Sequence, residues 1–232
     1  MFNIDFNFYG FFIILSLIIG LIFICDNAKE LKFTKEDIIF LVVYLLVGMI
    51  VGAKYYDYFV NIDNYKSFNF FALGLSSYGA VIGFIIMLFI YSKQFKKDFI
   101  TMLKLIIPSL PLIYGLSKIA CFISGCCYGI EYDGIFSITY NYSNSAPNGI
   151  SLFPIQIVET AVFLLIFIFF YIRRNKIEDK KYIGYMFIVC GFFKFILDFL
   201  RHVHVSEIIS TNQIFSLVFI VIGIIFIFYK KK

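Results

Sequence analysis

Apolar residues in this chain come in long, nearly unbroken runs, not in the alternating or three-to-four-residue patterns of half-buried soluble elements. A helix needs about 20 mainly apolar residues to cross a hydrocarbon core. Stretches of that kind lie at about 8–25, 38–54, 68–91, 99–117, 152–172, 182–200 and 210–229. Their lengths fit helices and not the roughly 10-residue strands of a membrane barrel. Pro108 and Pro111 predict a break in the fourth stretch, just before Lys118. The one long connection runs from about 118 to 151. The pattern therefore predicts an all-α integral membrane protein, with a single seven-transmembrane-helix bundle over residues 1–232.

Composition supports that class. The chain is 61% hydrophobic and 15% charged, with mean hydropathy +0.90, against about 45–50% apolar and 25% charged for soluble domains. The opening MFNIDFNFYG has no basic region and no small-residue cleavage site, so the first apolar run is expected to be retained. No internal repeat is visible, which weighs against an inverted-repeat transporter.

The charges predict an orientation. Of 20 basic residues, 14 fall in the connections at 26–37, 92–98 and 173–181 or in the C-terminal tail. The alternate connections hold Lys54, Lys66, Lys118 and Arg201, and Lys104 and Lys194 lie inside apolar stretches. Basic residues accumulate on the cytoplasmic side. The expected topology is N-terminus outside and C-terminus cytoplasmic, with 118–151 as an extracytoplasmic loop. The net charge of +5 is spread over these connections and does not form a nucleic-acid surface.

The five cysteines include no Cys-x-x-Cys pair, and two histidines are too few for a zinc site. No metal or cofactor is expected. Cys126 and Cys127 read as two buried free thiols, because a bond between adjacent cysteines is strained.

Polar residues inside apolar stretches carry the chemistry. Lys194, Asp198 and Arg201 are spaced i, i+4, i+7, on one helical face. Each such charge costs about 2.5–3.5 kcal/mol at a helix centre, so the three should face the bundle interior or water. They form either a structural ion pair or an anion-binding face. Gln156 and Glu159 share a face behind Pro154, a favourable helix start, and either pair with the cations or bond neighbouring helices. Gly79 and Gly83 form a small-residue seam beside Tyr78, and Tyr9 is either a belt residue or part of the pocket. In Pro111–Gly129, Lys118 lies among three glycines and three cysteines, as a snorkelling residue or as a cation at a polar cavity. These residues fit a lipid enzyme, a lipid-binding protein or an anion path.

Ordered fragments add a resemblance. Phe8-Tyr9-Gly10, Gly52-Ala53-Lys54, Ser76–Gly83, Ser117–Gly129, Phe153–Glu159, Gly191–Arg201 and Asn212-Gln213 together resemble the prolipoprotein diacylglyceryl transferase family. Tyr78 stands where that family has histidine, Lys118 and Lys194 where it has arginine, and Cys121 and Ser124 where it has asparagine. Pro154, Gln156, Glu159 and Arg201 agree.

The resemblance implies a transferase of the bacterial cytoplasmic membrane that moves diacylglyceryl from phosphatidylglycerol to the lipobox cysteine of a prolipoprotein signal peptide, releasing glycerol phosphate. It implies catalytic roles for Tyr78, Lys118, Lys194 and Glu159. Phosphate and headgroup contacts would come from Lys118, Lys194, Arg201, Tyr9 and Gln156, with Gly79, Gly83, Cys121, Gly125 and Gly129 as motif positions. The alternative is a divergent paralogue that binds anionic phospholipid without transfer or with another acceptor.

Overall fold

A computed structural model describes residues 8–62, 65, 67–74, 76–205 and 208–228. Lys66 and the C-terminal lysines 230–232 of the charge count lie outside the described residues. Eight α-helices are present among the described residues: α1 (Phe8–Glu30), α2 (Lys35–Val60), α3 (Ser77–Gln94), α4 (Phe99–Ile106), α5 (Leu110–Ser124), α6 (Ile155–Arg173), α7 (Asp179–Asp198) and α8 (Thr211–Phe228). A two-stranded antiparallel ribbon, β1 (Ile138–Thr139) and β2 (Ser151–Leu152), sits in the connection between α5 and α6. Five stretches are long and apolar enough to cross a membrane: α1, α2, the run Phe99–Ser124, α6 and α8.

Three sequence expectations shift. The helix expected to end near 117 continues to Ser124, so Lys118 and Cys121 are helical and the connection is correspondingly shorter. Gly125 ends it, in the left-handed backbone (φ 71°) that glycine enters at little cost. The stretch expected to be helical from 68 begins its helix at Ser77. The one expected to reach 200 stops at Asp198, which leaves Arg201 just beyond α7. The proline break falls at Ile107–Ser109, a 3-10 turn holding Pro108, and the chain resumes as α5 with Pro111 in its first turn.

Side chains are distributed inside out. Ile14, Ile18 and Ile22 of α1 and Ile39, Val43 and Val47 of α2 are exposed, whereas Gln156, Glu159, Asp198, Gln213 and Ser216 are buried. Apolar groups face outward and polar groups inward when the surroundings are hydrocarbon and every polar group must find an internal partner. The chain is a multi-pass membrane protein.

Backbone contacts divide the chain into two compact units, residues 25–105 and the remainder. In the 25–105 unit, α2 and α3 meet along glycines. A β-carbon on Gly48 would lie 2.6 Å from the Gly83 carbonyl oxygen, and one on Gly52 would overlap that of Gly79. Close backbone approach is how membrane helices associate where lipid is as apolar as the side chains. Elsewhere in this unit the Tyr91 hydroxyl donates to the Asp37 carbonyl oxygen (2.9 Å) and the Lys97 ammonium to its carboxylate (2.9 Å).

Gly83→Val is therefore expected to destabilise the protein by about 1–3 kcal/mol through overpacking. Denaturant titration in detergent micelles measures it, and an unchanged midpoint would refute the glycine seam.

In the other unit, α5 packs on α6 and α7 on α8. Thr160 donates to the Gly115 carbonyl oxygen (3.0 Å), and the α7–α8 contact passes through Gly184 and Gly223. Gly20 of α1 lies against Ile113 of α5, and Phe23 packs edge-on to Phe167 of α6 (4.9 Å).

Candidate functional site: a cation cluster at one end of the helices

Within this second unit, the end of α5, the start of α6, the end of α7 and the start of α8 supply one polar cluster. At its centre is Glu159, fully buried one turn into α6. Lys194 Nζ donates to Oε1 (2.7 Å), Arg201 Nη2 to Oε2 (2.7 Å) and the Tyr114 hydroxyl to Oε1 (3.2 Å). Lys118 Nζ stands 3.6 Å from Oε2 and makes a longer ion pair. Asp198 is the second buried carboxylate. Lys194 Nζ and Arg201 Nε each approach its Oδ1 at 3.4 Å, Ser210 donates to Oδ2, and Asn212 donates to Oδ1 (3.3 Å).

Among the described residues, three cations thus face two carboxylates, one positive charge in excess. Lys118 is buried, yet its closest oxygen partner is that 3.6 Å carboxylate, and its ammonium otherwise lies over the Tyr114 ring (4.8 Å to the centroid). Lys194 shares the same ring face at 5.5 Å. Arg201 Nε, although buried, has no hydrogen-bond partner among the described residues.

Arg201 is positioned by backbone. Gly129 pairs with it in an antiparallel bridge, Ile130 N–H donates to Leu200 O (3.0 Å), and His202 N–H donates to Tyr128 O (3.3 Å). A side chain at Gly129 would overlap the Phe153 carbonyl oxygen. The Gly125–Gly129 segment therefore ties the α5–α6 connection to the end of α7.

An apolar groove of about 320 Å³ between α6 and α7 is lined by Val162, Leu165, Ile166, Phe169, Phe170, Val189 and Phe193.

The structure unites most of the residues singled out from sequence. Lys118, Glu159, Lys194 and Arg201 are in direct ion contact. Tyr9 lies at the start of α1 and is exposed. Gln156 is fully buried and donates to the Cys126 carbonyl oxygen (2.9 Å), while its own Oε1 has no partner among the described residues. Tyr78, Gly79 and Gly83 belong to the 25–105 unit. There Tyr78 leans on Tyr56 (6.2 Å between centroids), and Lys54 Nζ donates to Leu73 O (3.0 Å).

Tyr114 escaped the sequence reading. Its i−4 relation to Lys118 put it on the same helical face, which was the available signal. The tyrosine Tyr140 was missed as well. Its phenol donates to Phe122 O (2.9 Å) and its pKa is pushed up to about 12, mainly by burial.

The cysteines correct one expectation. Cys127 is exposed and Cys126 half-buried, so they are not two buried thiols. The sulfurs of Cys121, Cys126 and Cys127 all lie within 4.8 Å of one another, a grouping of metal-ligating type that sequence spacing did not reveal. Left-handed backbone at Gly125 and Cys127 folds the turn back onto the end of α5, and Cys126 N–H donates to Cys121 O (3.0 Å).

The family described as prolipoprotein diacylglyceryl transferase matches residues 1–229 of the chain. The phosphatidylglycerol–prolipoprotein diacylglyceryl transferase of Clostridium tetani (strain Massachusetts / E88) is 31% identical over 223 residues, covering 93% of this chain and 90% of that protein. A Clostridium perfringens (strain 13 / Type A) protein, phosphatidylglycerol–prolipoprotein diacylglyceryl transferase 2, is 28% identical over 97% of this chain and 90% of its own length. The Finegoldia magna (strain ATCC 29328 / DSM 20472 / WAL 2508) transferase of the same name is 26% identical over all of this chain and 94% of its own. With a match that runs almost end to end, this chain belongs to the prolipoprotein diacylglyceryl transferase family.

Proposed function

We propose that this protein transfers diacylglyceryl from phosphatidylglycerol to the lipobox cysteine thiol of a prolipoprotein in the bacterial cytoplasmic membrane. The observation that carries this reading is the cluster of Lys118, Lys194 and Arg201, one positive charge in excess among the described residues, on helices that also form an apolar groove between α6 and α7. A ligand that matches both parts has an anionic head and acyl chains. The names of the relatives supply the donor and the acceptor.

The chain would cross the membrane seven times, the run from α4 to α5 counting once. Helices α3 and α7, with 18 and 20 residues, span about 27–30 Å at 1.5 Å per residue. The distribution of Lys and Arg supports an outside N-terminus, a cytoplasmic C-terminus and a cation cluster near the outer surface.

In the reaction, the acceptor sulfur attacks the glycerol carbon that carries the phosphate ester. The carbon–oxygen bond breaks, glycerol phosphate leaves, and a thioether forms. The thiol's proton passes to a base and can end on the departing phosphate. That phosphate gains charge as the bond breaks, and preorganised cations stabilise such a transition state. Glu159 is best read as the anchor of the cations, because both of its oxygens are already occupied by donors. Tyr78 stands at the family's histidine position, within the 25–105 unit. With a reference pKa of about 10 the phenol is a weak base at neutral pH, and this favours a second reading: phosphatidylglycerol binding without transfer.

The assay uses membranes containing the protein, labelled phosphatidylglycerol and a lipobox peptide. Transfer predicts a lipidated peptide and release of glycerol phosphate. An unlabelled peptide, with an active family member alongside, would refute the activity. Retained lipid binding in that case would select the second reading.

A further inference from the structure

We propose that Cys121, Cys126 and Cys127 form a three-thiolate site for a soft d10 metal ion, best matched by copper(I), independent of the transfer reaction. The three sulfurs come from a turn that doubles back on its own helix and lie within 4.8 Å of one another. With metal–sulfur bonds of about 2.3 Å, the sulfurs of a trigonal or tetrahedral thiolate set stand about 3.7–4.0 Å apart. Shifts of less than an ångström on each sulfur would therefore close the site.

The surroundings suit it. Thiolate ligands select copper(I) and zinc, and among the described residues no fourth His, Cys, Asp or Glu joins the group, as tetrahedral zinc would require of a closed site. Copper(I) is satisfied by three. Cys121 is buried, Cys126 half-buried and Cys127 exposed, so one ligand is anchored in the helix and the opposite side is open for entry. Cys127 has φ 54°, a left-handed conformation that is uncommon and costly for a residue with a side chain. Gln156 braces the turn through the Cys126 carbonyl oxygen (2.9 Å), and the Ser124 hydroxyl donates to the Cys126 sulfur (3.2 Å). Binding would release a proton from each thiol to solvent. The extra negative charge would then sit beside the cation excess of the neighbouring cluster.

The test titrates the reduced protein in detergent micelles, under inert atmosphere, with copper(I) held by the chromophoric chelator bicinchoninate. The expected result is withdrawal of one copper per chain and protection of Cys127 from alkylation. Cys121→Ser, Cys126→Ser and Cys127→Ser should each weaken binding by more than about 100-fold, since even the loss of an outer-shell partner costs about 10- to 100-fold. The double variant Cys25→Ser/Cys190→Ser should bind like the wild type. Cys127 is exposed, so its replacement leaves the fold intact and keeps the test decisive. Failure of the folded wild type to withdraw copper, or unchanged binding by Cys127→Ser, would overturn the site.

Discussion

Glu159→Gln is expected to destabilise the protein by about 3–5 kcal/mol, the cost of breaking a buried ion pair by removing one partner. For a chain of this length that corresponds to a drop of roughly 10 °C in the unfolding midpoint. The carboxylate is fully buried and accepts from Lys194, Arg201 and Tyr114, with Lys118 close by. Neutralising it leaves three cations facing Asp198 alone and turns one positive charge in excess into two. Glu159→Asp keeps the charge and shortens the reach by one methylene, so it should recover part of the loss. Thermal unfolding in micelles, followed by circular dichroism, measures both variants. Equal midpoints for wild type and Glu159→Gln would show that the cluster does not depend on this carboxylate.

The second large effect concerns Lys118. Lys118→Ala is expected to lower the rate of diacylglyceryl transfer by about 10²–10³, the range measured when a single preorganised donor to a developing oxyanion is removed. Its unfolding midpoint should move little, because Lys118 holds its carboxylate only at 3.6 Å. The effect should fall on kcat more than on KM, since the phosphate gains charge in the transition state. Lys118→Arg should match or exceed the wild-type rate, because a guanidinium offers two parallel N–H donors to phosphate where an ammonium acts as a point charge. Labelled phosphatidylglycerol and a lipobox peptide provide the readout. A Lys118→Ala protein with wild-type kcat would remove Lys118 from the phosphate grip and move the proposal toward Arg201 and Lys194.

Much of this architecture is legible in the chain before any coordinates. Runs of apolar residues mark the helices because spanning hydrocarbon is a local requirement on length and hydropathy. Pro108 marks the break before α5 because a proline inside a helix removes a hydrogen bond and clashes with the preceding turn. The spacing of Lys194 and Asp198 marks a shared face, and the structure finds them 3.4 Å apart. Helix ends were less legible. The pattern stops α5 near 117, short of Ser124, because Lys118 reads as a polar stop, whereas a buried partner, Glu159, lets the helix continue through it.

Composition and order along the chain thus determined that this is a helical membrane protein with cations and carboxylates at particular positions. Only the tertiary structure decided which charges meet. Lys118, Glu159, Lys194 and Arg201 lie on three helices and one bridge, and their pairing depends on the end of α5, the start of α6 and the end of α7 meeting. The Gly129–Arg201 bridge holds Arg201 there, through a backbone contact no spacing rule encodes. The cysteine cluster follows the same logic. Cys121 lies five residues before Cys126, a spacing that means nothing for a metal until left-handed turns at Gly125 and Cys127 bring three sulfurs together.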